Sequence, residues 1–216
     1  MEEVRIPTGG AEVTGSLHGS GQTVVVLGHG AGGTRRTPSL VRLAEGLAAS
    51  GRGALLYNFP YADERRRRPD PPALLEATTR AAGEFARGLG AGRLVHGGRS
   101  MGGRIASQVV AAGAPADGLV FLAYPLHPPG KPGQLRDRHL PSVVQPMLFV
   151  QGTRDPFAQP GLLDEVLARL GERATLHRIE GGDHSFGVPK SAGRSATQVE
   201  AEVERVVLAW LERHGL

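Results

Sequence analysis

The 216 residues contain no cysteine. That excludes a disulfide framework, a thiolate metal site and a thiol nucleophile together, and it suits a reducing compartment. Long apolar runs are missing as well. No stretch approaches the ~18–20 residues that cross a bilayer, so no membrane partner is expected. The N-terminus, Met1-Glu2-Glu3-Val4-Arg5, has no basic segment followed by an apolar one. A secretory leader is therefore not expected, and the location implied is the cytoplasm. There is no internal repeat, no long linker, and no low-complexity tract beyond Arg65 to Arg68. One domain over residues 1–216 is the expectation, long enough to bury about 70% of the surface its unfolded form exposes.

The formal charge is +4, and Arg65 to Arg68 supply much of the local excess. A basic run can mark a nucleic-acid contact. Here it stands beside prolines with no aromatic residues interleaved, so it reads as a solvated loop and no nucleic-acid partner is expected.

Strand and helix patterns alternate along the chain. Val24 to Leu27 is a short apolar, β-branched run ending at Gly28. Pro38 to Ser50 has helical spacing, with Thr37 as N-cap, Pro38 in the first turn and Gly51 as the stop. Strands are read at Ala54 to Asn58, ended by Phe59-Pro60, and at Arg93 to His96, Gly118 to Ala123, Met147 to Gln151 and Ala174 to Ile179. Helices are read at Pro72 to Leu89, Met101 to Ala112, Gly161 to Leu170 and Ala196 to Leu211. Such alternation implies βαβ crossovers: an α/β fold with a mostly parallel sheet and helices on both faces. Val4 to Ile6 and Glu12 to Leu17 are expected as a short antiparallel edge. In sheets of this kind ligands bind beyond the carboxyl ends of the strands, so the residues that follow each strand matter most.

After Arg93 to His96 comes Gly97-Gly98-Arg99-Ser100-Met101-Gly102-Gly103. Gly98-x-Ser100-x-Gly102 fits a nucleophile elbow, a tight strand-to-helix turn in which flanking glycines let the two elements approach. Alone, the five-residue pattern is weak in a chain with 32 glycines. A strand before it and a helix after it strengthen it. An acid and a histidine should then follow later strands. Asp155 stands just after Met147 to Gln151, and His184 after Ala174 to Ile179. In this reading Ser100 attacks, His184 takes and returns the proton, and Asp155 orients the imidazole. Asp183 is the rival acid, disfavoured because a residue next to histidine seldom reaches its ring nitrogen.

The oxyanion formed by attack needs backbone donors. Met101 N–H, at the start of the following helix, is one. The loop Gly28-His29-Gly30-Ala31-Gly32-Gly33 offers the second, assigned to Ala31 with Gly30 next. It lacks the Lys-Ser/Thr of a phosphate loop. His29 is read as a brace for this loop. The scheme needs no cofactor and no metal.

These residues resemble the α/β-hydrolase superfamily and its dienelactone-hydrolase-like branch, from the loop at residues 28–33 to Gly182-Asp183-His184-Ser185-Phe186. Gly97 to Arg104 and Tyr124 to Pro132 are also similar to a small hydrolase-like family that includes a testis-expressed protein and a subunit of a nuclear acetyltransferase complex. Dienelactone hydrolases proper carry cysteine where this chain has Ser100, so the resemblance does not bring their substrate with it. It implies a serine hydrolase cleaving short-chain carboxylic esters, with a small-molecule acyl substrate and an acyl-enzyme intermediate. The alternatives are an amidase, peptidase or thioesterase with the same triad, or a non-catalytic interaction module on the same fold. Segment 124–146, where the superfamily often inserts a lid, is short and Pro-rich, so a minimal lid or none is expected. Phe59, Tyr61, Tyr124, Leu126 and His127 are candidates for the walls of the substrate pocket.

Overall fold

Along β3 (Thr23–Gly28) every residue is buried. Val24 and Val26 enter one apolar cluster, Val25 and Leu27 another. Side chains alternate along a strand, so a wholly apolar strand needs cover on both faces. The computed structural model, which describes residues 1–216, shows that cover. One cluster is closed by α3 (Pro72–Gly88), α4 (Met101–Ala111) and α5 (Pro160–Leu170). The other is closed by α1 (Pro38–Ala49) and α6 (Ala196–Arg213).

The remaining strands are β1 (Glu2–Pro7), β2 (Glu12–His18), β4 (Gly53–Tyr57), β5 (Arg93–Arg99), β6 (Gly118–Leu122), β7 (Met147–Gly152) and β8 (Ala174–Ile179). All eight form one sheet in the order β1-β2-β4-β3-β5-β6-β7-β8. β1 and β2 make the expected antiparallel edge, with Val4 opposite Gly15 and Ile6 opposite Val13. β2 also runs antiparallel to β4, and every other pairing is parallel. The chain steps from β3 outward to β4, then returns to place β5 on the other side of β3. The carboxyl ends of β3 and β5 therefore flank the switch point of the sheet, where α/β folds bind ligands.

The structure departs from the sequence reading locally. Thr37 does not cap α1 with its side chain; its hydroxyl donates to Thr34 O instead. The side-chain cap that does form belongs to α6, where Ser195 and Gln198 make a reciprocal capping box. Phe59-Pro60, read as the end of a strand, also opens a four-residue helix, α2 (Pro60–Asp63). Proline suits the first helical position because its missing N–H would be unpaired there anyway. Arg65 to Arg68 follow α2 on the surface, with Arg66 paired to Glu64 and Asp70. No helix is long and apolar enough to cross a membrane.

Segment 124–146 contributes no cap. It lies down on the α4 and α5 flank, where Tyr124 Oη donates to Arg136 O at 2.8 Å and His139 Nε2 pairs with the Ser107 hydroxyl at 2.7 Å.

Candidate active site

Two close approaches of backbone build the turn between β5 and α4. A Cβ on Gly98 or on Gly102 would lie 2.2 Å from Gly28 O. Only glycine lets β3, β5 and α4 meet there, and Gly98 also takes φ 146°. Between them Ser100 is held at φ 49°, ψ −113°. Few non-glycine residues occupy such backbone, and its cost of about 1–3 kcal/mol must be met by surrounding contacts. Ser100 N donates to Leu122 O at 2.9 Å, and Arg104 N donates to Ser100 O at 3.1 Å. The turn is thus pinned to β6 on one side and to the first turn of α4 on the other.

The Ser100 hydroxyl meets His184, 84 residues away in sequence, with Oγ 2.8 Å from Nε2. On the far side of the ring, Nδ1 lies 2.7 Å from Asp155 Oδ2. A carboxylate only accepts, so Nδ1 carries the proton and Nε2 is left to accept from the serine. The Asp155 side chain is fully buried while that of His184 is 21% exposed. Gln151 Nε2 donates to Asp155 Oδ2 at 2.6 Å, and Phe157 N donates to Oδ1 at 2.8 Å. The carboxylate is thereby fixed as an acceptor aimed at the imidazole. Asp183 points elsewhere, accepting from Ser185 N and Gly187 N to hold the loop that carries His184.

The glycine-rich loop after β3 leans over the same point, where a Cβ on Gly30 would come within 3.6 Å of Ser100 Cβ. His29 is fully buried and braces the loop. Its Nδ1 donates to Gly30 O at 2.8 Å, and its Nε2 accepts from Phe59 N at 3.2 Å. Burial holds this histidine below its ordinary value, which keeps that neutral pattern of one donor and one acceptor. Tyr61 Oη accepts from Gly32 N at 3.1 Å and donates to Gly30 O at 3.3 Å. Gly33 N donates to Gly30 O at 3.0 Å. With Gly32 and Gly33 committed, Ala31 N–H has no acceptor within the protein. Met101 N–H, first in α4, has none either, as expected at a helix N-terminus.

The five residues expected to wall the pocket do not do so. Phe59 and Leu126 are 0% exposed, and Tyr61, Tyr124 and His127 are 1% exposed. Each is used in packing. Phe59 and Tyr61 sit under the glycine-rich loop beside His29. Tyr124 packs on Phe121 and Phe149, and Leu126 lies in the same cluster. His127 donates to Pro128 O and accepts from Gln159 N, tying segment 124–146 to the start of α5. Two neighbours of the site carried no sequence signal. Phe157, half-buried, stacks on His184 with centroids 4.2 Å apart. Arg99, at the end of β5, donates to His184 O at 2.8 Å. No three His, Asp or Glu side chains converge to hold a metal ion.

A family model described as an alpha/beta hydrolase domain matches residues 21–212. Solved structures agree at the level of fold. A dienelactone hydrolase from Anabaena variabilis superposes with TM-score 0.75 at 21% identity, covering 98% of this chain and 97% of its own. A lidless α/β serine hydrolase from Xanthomonas campestris gives TM-score 0.76 at 18% identity, covering 97% and 94%. A dienelactone hydrolase-like promiscuous phosphotriesterase from metagenomic libraries gives 0.72 at 19%, covering 98% and 97%. The match over residues 21–212 spans most of the chain, the glycine-rich loop and Ser100, Asp155 and His184 included, and the chain belongs to the alpha/beta hydrolase domain family.

Proposed function

We propose that this protein is a serine hydrolase that cleaves small carboxylic esters through an acyl-enzyme. One observation carries the reading: Asp155, His184 and Ser100 are joined end to end by contacts of 2.7 and 2.8 Å. Serine is a poor nucleophile at neutral pH until a base takes its proton, and His184 Nε2 is within reach to do so. Ser100 Oγ attacks the carbonyl carbon, and the proton passes to His184. Asp155 holds the ring and stabilises the imidazolium. Ala31 and Met101 N–H donate to the oxyanion. His184 then protonates the departing alcohol, leaving the acyl group on Ser100. Water, deprotonated by the same histidine, attacks the ester and releases the acid.

The lack of a cap from segment 124–146, which is tied down beside α4 and α5, supports small, accessible acyl groups. Relatives named as a dienelactone hydrolase and a phosphotriesterase support hydrolysis in general. Thioesters and lactones present the same carbonyl to the same groups. A cysteine-free chain suits work in the cytoplasm.

The test combines a fluorophosphonate probe with a panel of p-nitrophenyl esters of increasing acyl length. Wild type should label on Ser100 and turn over the short esters, and Ser100→Ala should lose both. A folded wild-type protein that neither labels nor turns over any ester overturns the reading, as does full turnover by Ser100→Ala.

A further inference from the structure

Ser100 and His184 reach the site from different parts of the sheet. Ser100 follows β5, whereas His184 sits in the loop between β8 and α6. That loop depends on turn contacts made by Asp183 and Gly187, and it contains Phe186 at φ 61°. A bulky aromatic residue in that region is a genuine backbone outlier and needs outside contacts to persist. One residue bridges the two halves. Arg99 immediately precedes Ser100, its Nη2 donates to His184 O at 2.8 Å, and its guanidinium lies 5.8 Å from the centre of the Phe186 ring.

We propose that Arg99 is a positioning residue, a clamp that locks the His184 loop to the strand that presents Ser100. The proposal rests on the esterase reading above for its kinetic arm only. The guanidinium acts on the backbone carbonyl of His184 and on the face of its neighbour two residues on, leaving the imidazole ring free to move protons. The planar fork explains the choice of arginine, because one edge can donate to the carbonyl while the face covers the ring of Phe186. The negative charges of Asp155 and Asp183 offset part of the cost of keeping the guanidinium half-buried. Without the clamp, the loop keeps its own turn but loses its tie to β5, and the 2.8 Å contact between His184 Nε2 and Ser100 Oγ loosens.

The test compares wild type, Arg99→Gln and Arg99→Lys in the full chain, by short-ester kinetics and by proton NMR. A misplacement of about 1 Å can cost on the order of 10²-fold, so Arg99→Gln should lower kcat by about 10- to 100-fold with KM little changed. The low-field proton shared by His184 and Asp155 should broaden or vanish in the same variant while the melting profile stays cooperative. Arg99→Lys keeps the charge and the stem without the fork, so it should fall between the two, and it serves the test if Arg99→Gln does not fold. An unchanged kcat and an intact low-field resonance in either folded variant overturn the clamp. A raised KM at unchanged kcat also overturns it, since Arg99 would then be binding substrate. The resonance is read in the resting protein, so it tests the clamp even if no ester is turned over and the esterase reading fails.

Discussion

The imidazole of His184 lies against the ring of Phe157, with centroids 4.2 Å apart and planes 28° apart. The same residue donates its backbone N–H to Asp155 Oδ1 at 2.8 Å. Phe157 therefore holds two members of the hydrogen-bonded chain at once, one through its backbone and the other through its ring. In the proposed reaction, when His184 takes the serine proton the aromatic face meets a cation, a contact worth about 0.5–2 kcal/mol. Phe157→Leu leaves the backbone donor in place and removes only the face. Ester turnover in that variant should fall by about two- to thirtyfold in kcat/KM. Equal kcat/KM in the two proteins would show that the stacking is packing alone.

Asp155 is the most enclosed of the three, with both oxygens committed to Gln151, Phe157 and His184. Asp155→Asn keeps the volume but exchanges one acceptor for a donor. The ring of His184 can then turn to the tautomer that places a proton on Nε2, where it can no longer accept from Ser100. Loss of about 10⁴-fold in kcat is expected, with the ester KM little altered. His184→Ala should be about as damaging as Ser100→Ala, because members of such a chain act as a unit. A modest loss in Asp155→Asn would assign the orienting role to another acid, with Asp183 the first to examine.

How far the site could be read from the sequence depended on what each residue needs. Ser100, Asp155 and His184 stand just beyond strand ends, and strand ends are legible from apolar runs and the glycines that stop them. The glycine-rich loop after β3 was legible for the same reason. Residue type does not reveal which side of the backbone faces the site, and Phe59, Tyr61 and Tyr124, expected in the pocket walls, turn inward to packing partners. Phe157 and Arg99 were silent because their roles exist only through contacts with a loop distant in sequence. Helix α2 has no separate signal in the sequence, because Phe59-Pro60 reads as an ending, whereas a proline can equally begin a helix.

Gly102 and Gly88 are both helical glycines with opposite consequences. A Cβ on Gly102 would stand 2.2 Å from the carbonyl oxygen of Gly28, and neither backbone has room to give. Gly102→Ala should therefore cost about 1–3 kcal/mol and displace Ser100, lowering both the melting temperature and the rate of phosphonate labelling. Gly88 ends α3 with nothing within 4 Å of the position a Cβ would take. Gly88→Ala restricts the unfolded chain at no cost in contacts and should stabilise by about 0.4–1 kcal/mol, with labelling unchanged. Urea titrations of the two variants beside wild type separate these outcomes, and a neutral Gly102→Ala would refute the tight approach of α4 to β3.

His96, in the middle of β5, makes stability depend on pH away from the active site. It is 1% exposed, and its pKa is lowered to about 4, chiefly by burial and next by the charge of Arg87. The unfolded chain accepts this proton near pH 6.5, while the folded chain resists it until about pH 4. The resulting contribution, about 3 kcal/mol, is fully present above pH 6.5 and is lost progressively as the pH falls through that window. The urea midpoint of wild type should therefore drop between pH 7 and pH 4.5. His96→Gln carries no titrating group there. It should start lower at pH 7, because the site beside Gly83 is shaped to the ring, but it should lose less on acidification. The two midpoints should converge toward pH 4.5. Parallel curves would show that His96 is not the group that titrates.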